Sequence, residues 1–185
     1  MKKLFLLFIL ILLSCKRFVT TTTGVAEKST RTIRTADQIR IDYDLEKRLK
    51  NIIRDEFVGE IEYCGFNAVS SSVLAVCIVK NEYAKNRLLE KMHSILEIKK
   101  IHYEVIVDPL LKKQRFLDYF KKKLIDMKFM FKSSIKSINY EFTVLNGTVY
   151  LIGIVAQKGE MENVAKTIAT IRGVKGVVSY TVNNY

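Results

Sequence analysis

Asn146-Gly147-Thr148-Val149-Tyr150-Leu151-Ile152-Gly153, followed downstream by Gly173-Val174-Lys175-Gly176-Val177, decides how this chain folds. Asn-Gly between two apolar runs tolerates positive φ at both centres of a two-residue type I′ turn, so residues 138–145 and 148–155 read as a hairpin. Apolar residues at three-to-four spacing place a helix over Phe116, Leu117, Phe120, Leu124 and Met127 and another over 160–171, and 174–182 returns as a strand. The order is helix, strand, strand, helix, strand.

The same order stands upstream. Leu45, Leu49, Ile52 and Ile53 mark an amphipathic helix that Asp44 is able to cap, and β-branched runs 61–69 and 73–79 flank Ser70-Ser71-Ser72. Tyr83, Leu88, Leu89, Met92, Ile95 and Leu96 then recur at helical spacing, and 100–107 alternates like a strand. Val73 and Val149 lie 76 positions apart, and the same offset lays Phe66 on Phe142, Ala75 on Leu151, Val79 on Val155, Met92 on Ile168 and Ile101 on Val177. A single ungapped register through hairpin, helix and final strand marks a duplication. The expected architecture is α+β, with two tandem αββαβ domains at 39–108 and 109–185, parted at Asp108-Pro109.

Ahead of the repeats, Met1-Lys2-Lys3 precedes ten apolar residues and then Ser14-Cys15, the layout of a secretory signal. Ten residues fall short of the roughly 20 that a membrane-spanning helix needs. Leu12-Leu13-Ser14-Cys15 resembles the bacterial lipobox, which implies removal of residues 1–14 and acylation of Cys15. Lys16 stands where an aspartate would signal inner-membrane retention, so the resemblance implies the periplasmic face of the outer membrane. Residues 15–38 are polar and without periodicity and read as a flexible tether, with an edge strand near residues 40–43 as the alternative. A net charge of +12 on an exported chain points to phospholipid headgroups rather than nucleic acid.

The Asn-Gly-x-Val-x-Leu-x-Gly strand, the helix that follows and the Gly-Val-x-x-Val return resemble the BON domain over residues 109–185. The first copy departs from the pattern, with Ser71, Cys77 and Glu97 where glycines are usual. Lipobox, tether and two repeats together resemble the dual-BON-domain outer-membrane lipoproteins, which implies binding of anionic phospholipid and support of envelope integrity. The resemblance puts the lipid surface on the second domain, around its first helix and the adjoining loop: Leu110, Leu111, Lys112, Lys113, Arg115, Phe116 and Tyr119. The chain has no tryptophan; Arg115 beside Phe116 stands at the helix start instead.

Charge agrees with that surface, because residues 110–136 hold nine basic residues against Asp118 and Asp126. Each basic side chain near an anionic bilayer gains about 1 kcal/mol; a solvated face is the alternative. Leu110 and Leu111 are expected to insert, whereas Phe116, Phe120, Leu124 and Met127 are expected to face the core. Phe129-Met130-Phe131 either covers the sheet or joins the surface.

A turn at Ser70-Ser71 sets Cys64 opposite Cys77 at a non-hydrogen-bonded pair, with Cα atoms about 4.5 Å apart and within disulfide range. A bulge at Gly65 would break that register and leave two thiols. His93 and His102 stand in no pattern with cysteines or carboxylates that suits metal binding or nucleophilic catalysis. No catalytic residue, metal or cofactor is therefore expected. The competing function is a structural module that meets a protein partner in an envelope assembly, as small α/β repeats on lipid anchors do in secretion rings.

Overall fold

A computed structural model describes residues 33–182. The signal segment 1–14, the acylation site Cys15 and the tether up to residue 32 lie outside the described residues. The first repeat comprises α1 (Ala36–Glu56), β1 (Ile61–Val69), β2 (Ser72–Val79), α2 (Glu82–His93) and β3 (Lys100–Val107). The second comprises α3 (Arg115–Phe131), a 3₁₀ turn (Ser137–Asn139), β4 (Tyr140–Leu145), β5 (Thr148–Ile154), α4 (Glu160–Ala169) and β6 (Gly176–Val182). In each, two strands form an antiparallel hairpin and the third returns parallel to the second, giving sheets ordered β1-β2-β3 and β4-β5-β6. The fold is α+β with two αββαβ units.

Strand alternation sorts the core into layers. Val73, Ala75, Cys77 and Val79 point towards Leu45, Leu49, Leu88 and Met92 of the first repeat's helices. Val149 and Leu151 meet Ile125, Phe129, Val164 and Ile168 in the second. The opposite faces meet each other, where Leu74, Val76 and Ile78 pack with Leu145, Ile152, Ile154 and Val182. Helices thus cover the outside of two stacked sheets, and β2 is buried along its whole length.

Both hairpins turn on residues with positive φ, Ser70 (50°) and Ser71 (63°) in one copy and Asn146 (51°) and Gly147 (91°) in the other. An L-residue in that region costs about 1–2 kcal/mol, and one buried carboxylate in each repeat offsets it. Asp42 accepts hydrogen bonds from the Ser70 and Ser71 N–H groups, both at 2.8 Å. Asp118 accepts from those of Asn146 and Gly147 at 2.7 and 3.0 Å. These aspartates are themselves 76 positions apart, as are Leu49 and Ile125, so the duplication runs through the first helix as well.

Contacts across the sheets join equivalent positions. Asn67 Nδ2 donates to Thr143 Oγ1 at 2.7 Å and the Tyr180 hydroxyl donates to Glu104 Oε1 at 2.5 Å, each pair separated by 76 residues. Residues that touch their own counterparts lie on a two-fold axis in a symmetric dimer. The chain is built as such a pair fused end to end.

The folded part begins earlier than polar composition implies. Thr35 and Gln38 form a capping box at the start of α1, and Arg34 is buried. Arg34 Nη2 meets Asp42 Oδ2 at 2.9 Å and the Ala68 carbonyl at 3.2 Å, while Nη1 reaches the Ile138 carbonyl at 3.0 Å and Glu141 Oε1 at 3.3 Å. The reading of a tether up to residue 38 is corrected on that ground: polar residues there serve as a cap and a buried clamp. Residues 40–43 are helical, not a strand.

One cross-strand position is solved differently in the two copies. Cys64 and Cys77 pair in register, 4.1 Å apart at Cα, and are joined by a disulfide; the strand irregularity falls at Ile61/Tyr63, not at Gly65. Their counterparts are Tyr140 and Gly153, also paired, with the Tyr140 ring lying where a Gly153 side chain would be.

Candidate functional site

Helix α3 packs inward through Asp118, Ile125 and Phe129, all buried. Phe129 meets the rings of Tyr140 and Phe142, and Asp118 reaches the Asn146-Gly147 turn. These anchors settle which way the helix faces. The expectation that Phe116, Phe120, Leu124 and Met127 form core is therefore corrected: Phe116 is 71% exposed, and Phe120, Leu124 and Met127 stand exposed with it. Met130 and Phe131 are also exposed, so the 129–131 cluster divides between core and surface.

The outer face of α3 is thus an apolar stripe, Phe116, Phe120, Leu124, Met127 and Phe131, at successive helical turns. Phe116 and Phe120 touch edge to face at 4.7 Å between centroids. Lys123 and Lys128 lie along its flanks. The first repeat supplies an internal comparison, because the corresponding positions of α1 are Arg40, Asp44, Arg48, Asn51 and Asp55. The αββαβ unit folds with a polar outer face; an apolar one is a property of the second copy.

The loop residues assigned to a lipid surface part company. Leu110 is 85% exposed, its N–H held by Asp108 Oδ1 at 2.8 Å. Leu111 is partly buried and packs against the core between the sheets. Lys112 pairs with Glu62 at 2.8 Å, lowering the pKa of that carboxyl, and Lys113 Nζ sits 3.6 Å above the Tyr63 ring. Arg115 and Tyr119 face a groove, and Phe116 alone of the set joins the stripe.

That groove, of about 670 Å³, lies between the repeats. Glu46 and Lys50 of α1 form one bank and Lys113, Arg115, Asp118, Tyr119 and Lys122 the other. Its floor is the edge strands, from Tyr63 to Asn67 on β1 and from Glu141 to Val144 on β4. Lys122 Nζ lies 4.1 Å over the Phe142 ring. Burial raises the pKa of the Glu141 carboxyl, the neighbouring Glu46 adds to the rise, and Arg34 opposes it. Periodicity predicts an apolar stripe on α3 but not its direction; the signal for direction was Asp118, at the repeat position of Asp42.

Among the described residues no helix is long and apolar enough to cross a membrane, and no group of three metal-ligating side chains comes together. No family model matches the chain. A protein of the gshII 5′ region of Anaplasma centrale, itself uncharacterized, is 31% identical over 86 residues, which are 45% of this chain and 57% of that one. The chain thus matches little more than half the length of that relative. Two solved structures of CdsD, a structural protein of the type III secretion system of Chlamydia trachomatis, are similar over 78% of this chain. They share 11% and 14% identity with it, cover 63% and 67% of their own chains, and each gives a TM-score of 0.31.

Proposed function

We propose that the protein is an envelope lipoprotein, held by acyl chains on Cys15 at the periplasmic face of the outer membrane, whose second repeat lies on anionic phospholipid through α3. The observation that carries this reading is the contrast between the two first helices: the same fold and register, with a polar outer face on α1 and five apolar side chains on α3. A stripe flanked by lysines suits a helix lying in the plane of a membrane interface, apolar face down and ammonium groups at headgroup level.

Burial of a large apolar side chain is worth about 1.5–3 kcal/mol, so partial burial of five supplies several kcal/mol, and nearby basic groups add about 1 kcal/mol each. Ile33 lies 18 residues beyond Cys15. A chain of that length reaches at most roughly 60 Å, which keeps α3 within range of the bilayer that holds the anchor. The resemblance to dual-BON-domain lipoproteins supports the same reading.

Co-sedimentation of residues 24–185 with vesicles tests it. Anionic vesicles should retain the protein, neutral ones should not, and salt should weaken binding. Phe120→Glu combined with Met127→Glu should abolish retention and leave the circular dichroism spectrum unchanged. Equal retention by neutral and anionic vesicles, or full retention of the double variant, would rule it out.

A further inference from the structure

We propose that the open edge of β4, in the groove between the repeats, accepts an extended acidic segment of a partner protein as an added strand. The inference does not rest on lipid binding, since the stripe and the groove occupy different sides of α3.

The two-residue hairpins fix which backbone groups face outward. Val69 pairs with Ser72 and Leu145 with Thr148 next to the turns, as hydrogen-bonded pairs. Alternation then turns the N–H and C=O of Phe66 and Ala68 away from β2, and those of Phe142 and Val144 away from β5. Both edges border the groove.

The first repeat caps its edge at Ala68 with its own side chains. Glu46 Oε1 accepts from the Ala68 N–H at 2.9 Å, and Arg34 Nη2 donates to the Ala68 carbonyl at 3.2 Å. At the same offset of 76, Ala68 corresponds to Val144, Glu46 to Lys122 and Arg34 to Leu110. An ammonium group accepts no hydrogen bond, and Leu110 offers no donor beyond its backbone. Among the described residues, nothing takes the place of Glu46 and Arg34 on Val144.

The capped Ala68 serves as a template for what Val144 lacks. It shows a carboxylate bonded to the outward N–H, with a cation beside it. On β4 the cations are present and no carboxylate bonds the outward N–H of Val144: Lys122 replaces Glu46, Lys113 and Arg115 stand on the same bank, and the acidic neighbours are engaged elsewhere, Asp118 on the Asn146-Gly147 turn and Glu141 on Arg34. An extended segment pairing with the floor from Glu141 to Val144, about 13 Å of strand, satisfies the backbone groups, and its acidic side chains meet the three cations. Strand addition gives affinity through the main chain, and the charge selects the sequence.

The test uses the full chain, labelled with nitrogen-15 in detergent micelles, and a capped hexapeptide alternating valine and glutamate beside a twin with lysine for glutamate. The glutamate peptide should shift the Phe142 and Val144 amide resonances and slow Val144 exchange with solvent; the lysine twin should do neither. Lys122→Glu restores the cap seen in the first repeat, so it should protect the Val144 amide without peptide and weaken peptide binding about tenfold or more. Lys113→Glu makes the same charge change away from the cap position and should weaken binding without protecting Val144. Absence of shifts along β4 at millimolar peptide, equal shifts with both peptides, or a Lys122→Glu chain that leaves Val144 exchange and binding unchanged would overturn the proposal.

Discussion

Asp42 and Asp118 occupy one position of a duplicated unit, and each binds with both carboxylate oxygens the two N–H groups of its own hairpin turn. A helix is thereby locked to a turn about 30 residues downstream in the same way twice. The copies differ in what else the carboxylate holds. Asp42 also pairs with the buried Arg34, while Lys121 lies at 3.9 Å from Asp118.

Removing the two carboxylates should therefore cost unequal amounts. Asp118→Ala leaves two turn donors unmet and should lower unfolding free energy by about 1–3 kcal/mol. Asp42→Ala also strips a buried guanidinium of a partner and should cost about 3–5 kcal/mol. Urea denaturation decides; equal losses would mean that Arg34 draws nothing from Asp42. Ser71→Gly relieves a left-handed serine and should raise stability by about 1 kcal/mol.

The disulfide ties adjacent strands and closes a short loop, so its contribution should be modest in scale. Reduction, or Cys64→Ala with Cys77→Ala, should lower stability by about 3 kcal/mol on the loop-entropy estimate. The shift in thermal midpoint with and without a thiol reductant measures it. An unchanged midpoint would show that the bond is absent in solution.

Direction of burial on α3 should separate neighbouring residues. Ile125→Ala opens the core and should cost about 2–5 kcal/mol, whereas Phe120→Ser should stay within about 0.5 kcal/mol of the parent. Chemical denaturation of both variants checks the orientation of the helix. A large loss from Phe120→Ser would return that side chain to the core.

His102 packs against the Tyr180 ring, 4.7 Å between centroids, with its Nε2 buried and unbonded. Burial lowers its pKa, and Lys100 adds to the effect. A base whose pKa is depressed on folding binds fewer protons folded than unfolded, so its contribution is present above the ordinary histidine value near 6.5 and declines as pH falls through the depressed one. Denaturation midpoints should fall between pH 8 and pH 5 in the parent and less steeply in His102→Gln. Parallel curves would remove His102 from the acid response.

Hairpin turns and strand order were legible because Asn146-Gly147 and the 76-residue offset report local backbone chemistry directly. The equivalence of Asp42 and Asp118 was equally present in the letters, yet a buried carboxylate resembles any helix-surface aspartate until its turn is known. The α3 stripe shows the opposite failure. Phe116, Phe120, Leu124 and Met127 form a regular apolar series, and regularity says that a face is apolar without saying whether protein or something else covers it. Arg34 was illegible for a simpler reason, because a clamp assembled from Asp42, Ala68, Ile138 and Glu141 has no sequence neighbourhood.

Arg34 also has a mechanical meaning. Tension applied to the chain ahead of Ile33 arrives at the junction where one guanidinium grips both repeats, together with the Ile33 N–H on Asn139 Oδ1 at 3.1 Å. Force is divided between the two halves at once instead of peeling α1 from its sheet. A chain pulled from its amino-terminal side would keep its halves aligned until that grip slips, which makes a single side chain the fuse between the two repeats.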